Sequence, residues 1–380
     1  MNLKQLSLLL LVCFALLSFR WVKQASFSYE SVDDLRALYG SGNPEIWPEP
    51  VLHPSVNPAT FEDIGLLPDL IHPSDNPYSD AKKELGKKLF FDPRLSSSGQ
   101  IACATCHDPK KGWTDGIEKS IGHQGAIGKR NAMTIVNVGY SHSFFWDGRA
   151  ETLEEQAAMP IEDPLEMNQL FGMAVKTIAE AEDYKPYFFN AFGSEAVSGN
   201  RVRKALSTFQ RSIVSKNTKF DEFISGNPYV FSDDEVMGLH LYRTKANCIS
   251  CHNTPYFSDN LFHNDGQTLP GSIHQDLGAY DHTGSLSDVG KFRTPTLREI
   301  AETGPWMHNG NFPTLKDVVD YYNLGNPVVT SKANKQKADP AILEADKKSL
   351  ILERLHLTKE EVLQLIAFLE TLSSRENLLE

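Results

Sequence analysis

The polar and apolar positions of the chain favour helices over strands. Apolar residues recur at three- and four-residue spacing in several segments, whereas the alternation of a half-buried strand is scarce. Some of these segments open on a capping box, such as Ser232 with Glu235, which satisfies free N–H groups of the first turn. We therefore predict a mainly α fold with extensive loops. The predicted helices cover 79–91, 201–214 and 232–244, and two more open at Thr152 and Thr358.

The first 24 residues differ from the rest of the chain. A mostly apolar run covers 6–19, which is short for a membrane-spanning helix and suits the core of a signal peptide. No clear cleavage site of small residues follows it, and basic residues flank its far side. Residues 1–24 are therefore interpreted as a signal peptide or an N-terminal anchor, and either one predicts export to a periplasm.

Composition limits the classes of function. The chain has 380 residues and is 41% hydrophobic, which is enough for about two domains with packed cores. Its net charge of -12 argues against nucleic acid as a partner, because phosphate-binding surfaces need clustered Lys and Arg. Residues 25–75 are rich in Pro, Asn and Ser and are predicted to form an extended N-terminal arm around the body.

The most informative feature is an internal duplication. Each half contains a Cys-x-x-Cys-His sequence, "CATCH" at 103–107 and "CISCH" at 248–252, followed by an aromatic-hydroxyl-Asp triplet. Farther on, the stretch from Thr134 matches the stretch from Thr296 without a gap, so that matched positions keep a constant offset. We predict two copies of one module. The first module covers 76–220 and the second covers 221–380.

Two cysteines followed by a histidine fit covalent attachment of a c-type haem. The thiols bind the vinyl groups as thioethers, and the histidine becomes the proximal iron ligand. A four-thiolate zinc site is an alternative that leaves both histidines unexplained. A redox dithiol would need a βαβ setting, which the pattern lacks. We predict two covalent haems. Their predicted ligands and attachment residues are Cys103, Cys106 and His107 in the first module and Cys248, Cys251 and His252 in the second.

The modules differ on the distal side of the predicted haems, which is the side opposite the motif histidines. At the constant offset, Tyr322 of the second module matches Pro160 of the first, and Glu166 follows six residues after Pro160. One module thus offers a ligand where the other leaves a gap. A haem with two protein ligands only moves electrons, whereas a haem with an open position can bind a peroxide.

The chain resembles the bacterial di-haem cytochrome c peroxidases, the family that also holds the maturation enzyme MauG. The resemblance covers about residues 75–375 and implies two cytochrome-c-like haem domains with a calcium ion between them. It rests on the stretches "LGKKLFFDPRLSSSGQIACATCH", "GKRNAMTIVNVGYSHSFFWDGRAETLEEQAAMPIEDPLEMN", "NCISCH" and "TPTLREIAETGPWMHNGNFPTLKDVVDYY".

The resemblance also implies roles for individual residues. The first haem would be peroxidatic and the second would transfer electrons. Glu166 matches the distal acid and base, Gln156 matches a second distal polar residue, and Trp146 matches the tryptophan between the haems. His123 matches a histidine that caps the first iron in many resting relatives, whereas MauG-like members keep that position open. The implied calcium ligands are Asn131, Thr303 and Pro305, the last two through backbone carbonyls.

The distal ligand of the second haem is the main difference between this sequence and the ordinary peroxidases of the family. Ordinary peroxidases of the family carry Met at the position of Tyr322, and MauG carries Tyr. Met307 is the alternative, but its duplicate is Phe145, and Thr303 keeps the spacing of the family to position 322. We therefore favour Tyr322. A phenolate stabilises Fe(III) and lowers the reduction potential, whereas a thioether raises it.

The expected function is reduction of hydrogen peroxide to water in the periplasm. The electrons would come from a small cytochrome c, a cupredoxin or a similar donor, and a homodimer is an option. A MauG-like oxidase that acts on a partner protein is one alternative. An electron carrier with both irons fully ligated is another, and a zinc-bound structural protein is the last.

Overall fold

The computed structural model describes residues 31–328 and 330–374. The predicted signal peptide or anchor at 1–24 lies outside the described residues, as does the part of the predicted arm before residue 31. Within the described residues, no helix is both long enough and apolar enough to cross a membrane.

Helices dominate the described chain, and its strands are short. Strands β1 and β2 pair antiparallel, with His263 opposite Phe292. The prediction of a mainly α fold with long loops is confirmed. The strands are β1 Phe262–Asn264 and β2 Lys291–Arg293. The helices are α1 Val32–Tyr39, α2 Asp80–Phe90, α3 Cys103–Cys106, α4 Leu153–Gln156, α5 Met159–Glu162, α6 Phe171–Glu180, α7 Lys185–Phe192, α8 Gly199–Arg211, α9 Lys219–Ile224, α10 Asp233–Arg243, α11 Tyr280–Thr283, α12 Leu315–Asn323, α13 Lys332–Lys337, α14 Pro340–Ala345 and α15 Lys359–Glu370.

Helices begin directly after the N-cap residues that the sequence predicted. Helix α2 follows Ser79, whose hydroxyl accepts a hydrogen bond from the Lys82 N–H. Capping boxes form at Ser232 before α10 and at Thr358 before α15. The capping box at Thr152 also forms, but α4 is only four residues long and α5 follows it almost at once.

Two hydrophobic clusters form separate cores, one beside each Cys-x-x-Cys-His sequence. The first is built from residues between 85 and 213, and α2 packs on α8 in it. The second is built mainly from residues between 220 and 372, and α10 packs on α15 in it. In both pairs a glycine permits close approach of the helices: a Cβ on Gly86 would lie 2.0 Å from the Ala205 carbonyl oxygen, and a Cβ on Gly238 would lie 2.0 Å from that of Gln364.

The duplication is visible in the backbone as well. Phe145 and Met307, which the constant offset matches, both adopt left-handed backbone, with φ of 66° and 70°. At another matched pair, the Asn137 N–H donates to the Ile213 carbonyl, and the Glu299 N–H donates to the Leu372 carbonyl. Two copies of one module therefore share local backbone conformation as well as sequence.

The junction between the modules lies near α9. This helix crosses the predicted domain division between residues 220 and 221. Phe220 is fully buried and packs edge-on against Phe257 and Phe368 of the second core. The change from one core to the other therefore falls between Ile213 and Phe220, and the two domains themselves stay a prediction.

The described part of the arm runs along both modules. Its first helix, α1, packs on the second core, where the Arg243 guanidinium lies over the ring of Tyr39 at 5.3 Å and pairs with Asp63. Farther along, the Pro68 carbonyl accepts a 2.7 Å hydrogen bond from the Tyr140 hydroxyl of the first module. The arm thus ties the modules together through side chains from both.

Substituting Ala for Gly86 or Gly238 tests the helix contacts. The added methyl group would collide with a backbone carbonyl, so we expect each change to cost about 1–3 kcal/mol of stability. Urea unfolding of the holoprotein, followed by circular dichroism, measures the loss. Gly172→Ala is the matched control, because this helical glycine has no atom within 4 Å of the new Cβ. Equal midpoints for all three variants would contradict close packing at these glycines.

Candidate functional site

The two motif histidines are held in the same way. The Nδ1 of His107 lies 3.1 Å from the Trp113 carbonyl oxygen, and the Nδ1 of His252 lies 3.1 Å from that of Phe257. A carbonyl only accepts, so each Nδ1 carries the proton and each Nε2 keeps its lone pair for a metal. Trp113 and Phe257 both have left-handed backbone, with φ of 61° and 59°. This arrangement fits a proximal haem ligand in both modules.

The four motif thiols fit covalent attachment better than the alternatives. They are not joined in disulfides. Burial raises the pKa of Cys103 to about 12 and that of Cys106 to about 11, so both thiols are protonated at neutral pH, unlike a redox dithiol. In the described part of the chain, the cysteines of the two modules do not meet in a common metal cluster. This separation removes the four-thiolate zinc site.

One cluster of potential metal ligands does form beside the second motif. Cys251, Asp259 and His263 bring their ligand atoms within 4.8 Å of one another. The His263 Nε2 lies 2.9 Å from the Asp259 carboxylate. Because a thioether bond to haem would occupy Cys251, the remaining pair is an ion pair in the wall of the site. Burial lowers the pKa of His263, but hydrogen bonds to Asp259 and Cys251 outweigh it and raise that pKa to about 10.

A mostly apolar cavity lies against the second motif and extends to the boundary between the modules. The cavity is partly open to solvent. Its lining suits a large, flat, apolar cofactor with a few polar groups. The predicted site residues in its wall are Cys248, Cys251, His252, Trp146, Asn131, Thr303, Pro305, Tyr322 and Met307.

Both candidate distal ligands of the second haem line this cavity. Tyr322 lies near the end of α12, and Met307 lies in the loop before that helix. Burial raises the pKa of Tyr322 well above its ordinary value, and the charge of Asp265 adds to the rise. Tyr322 lines the same cavity as the thiols that would hold the haem.

Glu166 lies in the loop that follows α5 in the first module. It is half-buried, and burial raises its pKa to about 7, with a further rise from Asp163 and a partly offsetting effect of Arg149. The Glu166 charge in turn adds to the raised pKa values of Cys103 and Cys106. A carboxyl near the first haem position is thus poised between its two protonation states at neutral pH.

The other two distal residues of the first module lie on neighbouring segments. The His123 N–H donates to the Glu166 carbonyl at 2.8 Å, and its Nδ1 lies 3.2 Å from the Ser97 hydroxyl. The adjoining Gly122 packs so tightly that a Cβ there would lie 2.0 Å from the Leu165 carbonyl oxygen. The loop of His123 is therefore fixed to the loop of Glu166. Gln156 ends α4 and is half-buried.

Trp146 and Asn131, one of the predicted calcium ligands, meet at the module boundary. The Trp146 Nε1 donates to the Asn131 carbonyl at 2.9 Å, and the Asn131 N–H donates to the His308 carbonyl at 2.8 Å. The Asn131 side-chain nitrogen donates to the Ile117 carbonyl at 3.0 Å, which leaves its Oδ1 as an oxygen available to a hard cation. Calcium binding itself stays a prediction.

Sequence reasoning missed several residues of these sites. Asp265 lines the second cavity with its carboxylate 3.9 Å from the Nδ1 of buried His308, and burial raises its pKa. Nothing in the local pattern marked it, since a lone Asp in a loop is common. Arg293 also lines the cavity. A signal for it was present in the sequence, because the constant offset of the duplication matches this arginine with Asn131.

Comparison with known proteins agrees with this geometry. The family model described as di-haem cytochrome c peroxidase matches residues 80–228. The methylamine utilization protein MauG of Methylorubrum extorquens is 37% identical over 304 residues, which cover 80% of this chain and 81% of that protein. The cytochrome c551 peroxidase of Nitrosomonas europaea is 37% identical over 260 residues, 68% and 77% of the two chains. The chain belongs to the di-haem cytochrome c peroxidase family.

Solved structures agree with membership of this di-haem family. A MauG-like protein associated with microbial copper homeostasis is 34% identical, with a TM-score of 0.73 over 82% of this chain and 96% of that chain. The di-haem peroxidase BthA of Burkholderia thailandensis shares the fold, with 23% identity and a TM-score of 0.67 over 87% and 97% of the two chains. Family membership implies two c-type haems, and the two Cys-x-x-Cys-His sequences are their predicted attachment sites.

Substitution of the two candidate ligands decides which one binds the second iron. We expect Tyr322→Phe to change the absorption and EPR spectra of the second haem, because the phenyl ring offers no donor atom. Met307→Leu should leave both spectra unchanged, since it keeps the volume of the side chain in the same cavity wall. The opposite result would assign the iron ligand to Met307.

Proposed function

We propose that this protein reduces hydrogen peroxide to water at the first haem and receives electrons through the second. One asymmetry carries the proposal. In the first module, burial raises the pKa of Glu166 to about 7, and the charge of Glu166 in turn raises the pKa of Cys103. At the matching side of the second module stands Tyr322, a potential iron ligand. In this proposal residues 76–220 form the peroxidatic domain and 221–380 form the electron-transfer domain, both cytochrome-c-like.

Glu166 is the proposed general acid and base. When bound at His107, the haem supplies the iron that takes up the peroxide and the electrons that cleave its O–O bond. Glu166 accepts the proton of the inner oxygen and returns it to the outer oxygen, which leaves as water. A carboxyl with a pKa near 7 suits both transfers, because neither protonation state is strongly favoured at neutral pH. Two electrons and two further protons complete the reduction to two water molecules.

The module boundary is the proposed route for electrons. Trp146 lines the cavity of the second motif, although it belongs to the first module, and its ring meets His308 edge-on at 6.4 Å. Calcium, held by the Asn131 side chain and the carbonyls of Thr303 and Pro305, is proposed to stabilise this boundary. The proposed donor is a periplasmic cytochrome c or a cupredoxin.

The variant Glu166→Gln tests the proton-transfer role. Because Gln has the same shape and cannot exchange a proton, we expect peroxide turnover with reduced cytochrome c to fall at least about a hundredfold. Haem absorption should show that both haems remain. The matched control is Glu162→Gln, which makes the same change at an exposed carboxylate four residues away. Near-normal turnover in the Glu166 variant would contradict the proposed mechanism.

A second function is favoured by one feature of the second cavity. MauG carries a tyrosine at the position of Tyr322, which lines the second cavity. A relative named MauG is 37% identical to this chain. The alternative role is oxidation of residues on a partner protein. Absence of peroxide turnover with any reduced cytochrome c or cupredoxin, in a protein that still consumes peroxide with a protein substrate, would favour this role.

A further inference from the structure

In the described chain, most of the arginines that are deeply buried are paired with carboxylates. The paired arginines are 8% exposed or less, and in each pair a guanidinium nitrogen lies within 3.1 Å of a carboxylate oxygen. These pairs are Arg36 with Asp233, Arg211 with Glu154, Arg243 with Asp63, and Arg298 with Asp221. The pairing follows the general rule that a guanidinium removed from water needs a compensating anion.

Arg293 breaks this pattern. It is 5% exposed, yet within the described residues no carboxylate lies within 4.0 Å of its guanidinium. Its contacts are neutral and long: the carbonyl oxygens of Phe145 and Thr294 at 3.4 Å and the Met133 sulfur at 3.6 Å. Tyr256, whose pKa burial raises, lines the same cavity as Arg293. None of these groups offers the negative charge that the other buried arginines have.

The position of Arg293 indicates where the missing anion belongs. The residue ends β2 and lines the cavity that also contains His252 and the two thiols of the second motif. Its backbone N–H donates to the Trp146 carbonyl at 2.7 Å, which fixes the strand at the boundary between the modules. An anion bound by this guanidinium would therefore lie inside the second cavity and close to Trp146.

We propose that Arg293 binds a propionate carboxylate of the haem attached at the second motif. This inference rests on the proposed function, because it takes a haem to occupy that cavity. A haem is an apolar ring with two carboxylates on one edge, and a planar guanidinium matches a carboxylate with two parallel N–H···O bonds. Arg293 would thereby hold a propionate carboxylate of a haem bound at His252.

The duplication shows that the position of Arg293 differs between the two modules. At the constant offset that matches Thr134 with Thr296, the counterpart of Arg293 in the first module is Asn131. Asn131 has no charge, and its amide nitrogen donates to the Ile117 carbonyl. The same position in the two modules thus carries a neutral amide in one and a buried cation in the other, so we expect the two haems to differ in the electrostatics of their propionates.

The variants Arg293→Gln and Arg293→Lys test the proposal in the full-length holoprotein. Haems are counted by mass spectrometry, and the potential of the second haem is measured by spectroelectrochemical titration at mildly alkaline pH. We expect a lower potential in Arg293→Gln, because an uncompensated propionate charge opposes the arrival of an electron. Arg293→Lys keeps the charge and should stay near the wild-type potential, with a shifted propionate band in the resonance Raman spectrum. Lys291→Gln is the matched control: it removes one positive charge from the same strand, and we expect no change in potential.

The outcomes separate this inference from the proposed function. Two haems in Arg293→Gln with a wild-type potential would overturn the inference and leave the proposed function intact. If that variant does not mature, Arg293→Lys decides, and a propionate band identical to that of the wild type overturns the inference. A wild-type protein without haem at the second motif would overturn the proposed function first, and the inference with it.

Discussion

The hydrogen bond from each motif histidine to a backbone carbonyl is the constraint on which the two sites depend. It fixes the proton on Nδ1 of His107 and His252, so the opposite nitrogen of each ring is available to iron. The accepting carbonyls belong to Trp113 and Phe257, buried aromatic residues with left-handed backbone that anchor the loops in the two cores. Each haem position is therefore set by a loop that its own hydrophobic core holds in place.

The two modules share this hydrogen bond and differ in the groups that are proposed to face their haems. The first presents Glu166, whose pKa burial raises to about 7, and the second presents Tyr322 and the buried cation Arg293. A proton donor and acceptor suits chemistry on a bound oxidant, whereas a strong ligand and a fixed charge suit a centre that passes electrons. In the proposed function, these differences would make the first haem the site of peroxide reduction and the second haem the site of electron transfer.

Much of the fold and part of the site followed from the sequence. Caps at Ser79 and Ser232 act through local hydrogen bonds, and so the helices they begin were predictable. The constant offset of the duplication was enough to match Tyr322 with Pro160. The pairing of α2 with α8 and the junction near Ile213 depend on contacts between distant segments, which no local pattern encodes. The unpaired charge of Arg293 likewise appears only when its surroundings are known, because pairing of the other buried arginines involves residues far away in the chain.

The spin states of the two haems, measured by EPR in the oxidised and the half-reduced protein, show whether one iron is open to an oxidant. We expect one low-spin haem, ligated on both sides, and one haem that is high-spin in at least one of these states and so has an open position for peroxide. Two low-spin haems in both states would contradict this expectation, since neither iron would then have room for the oxidant.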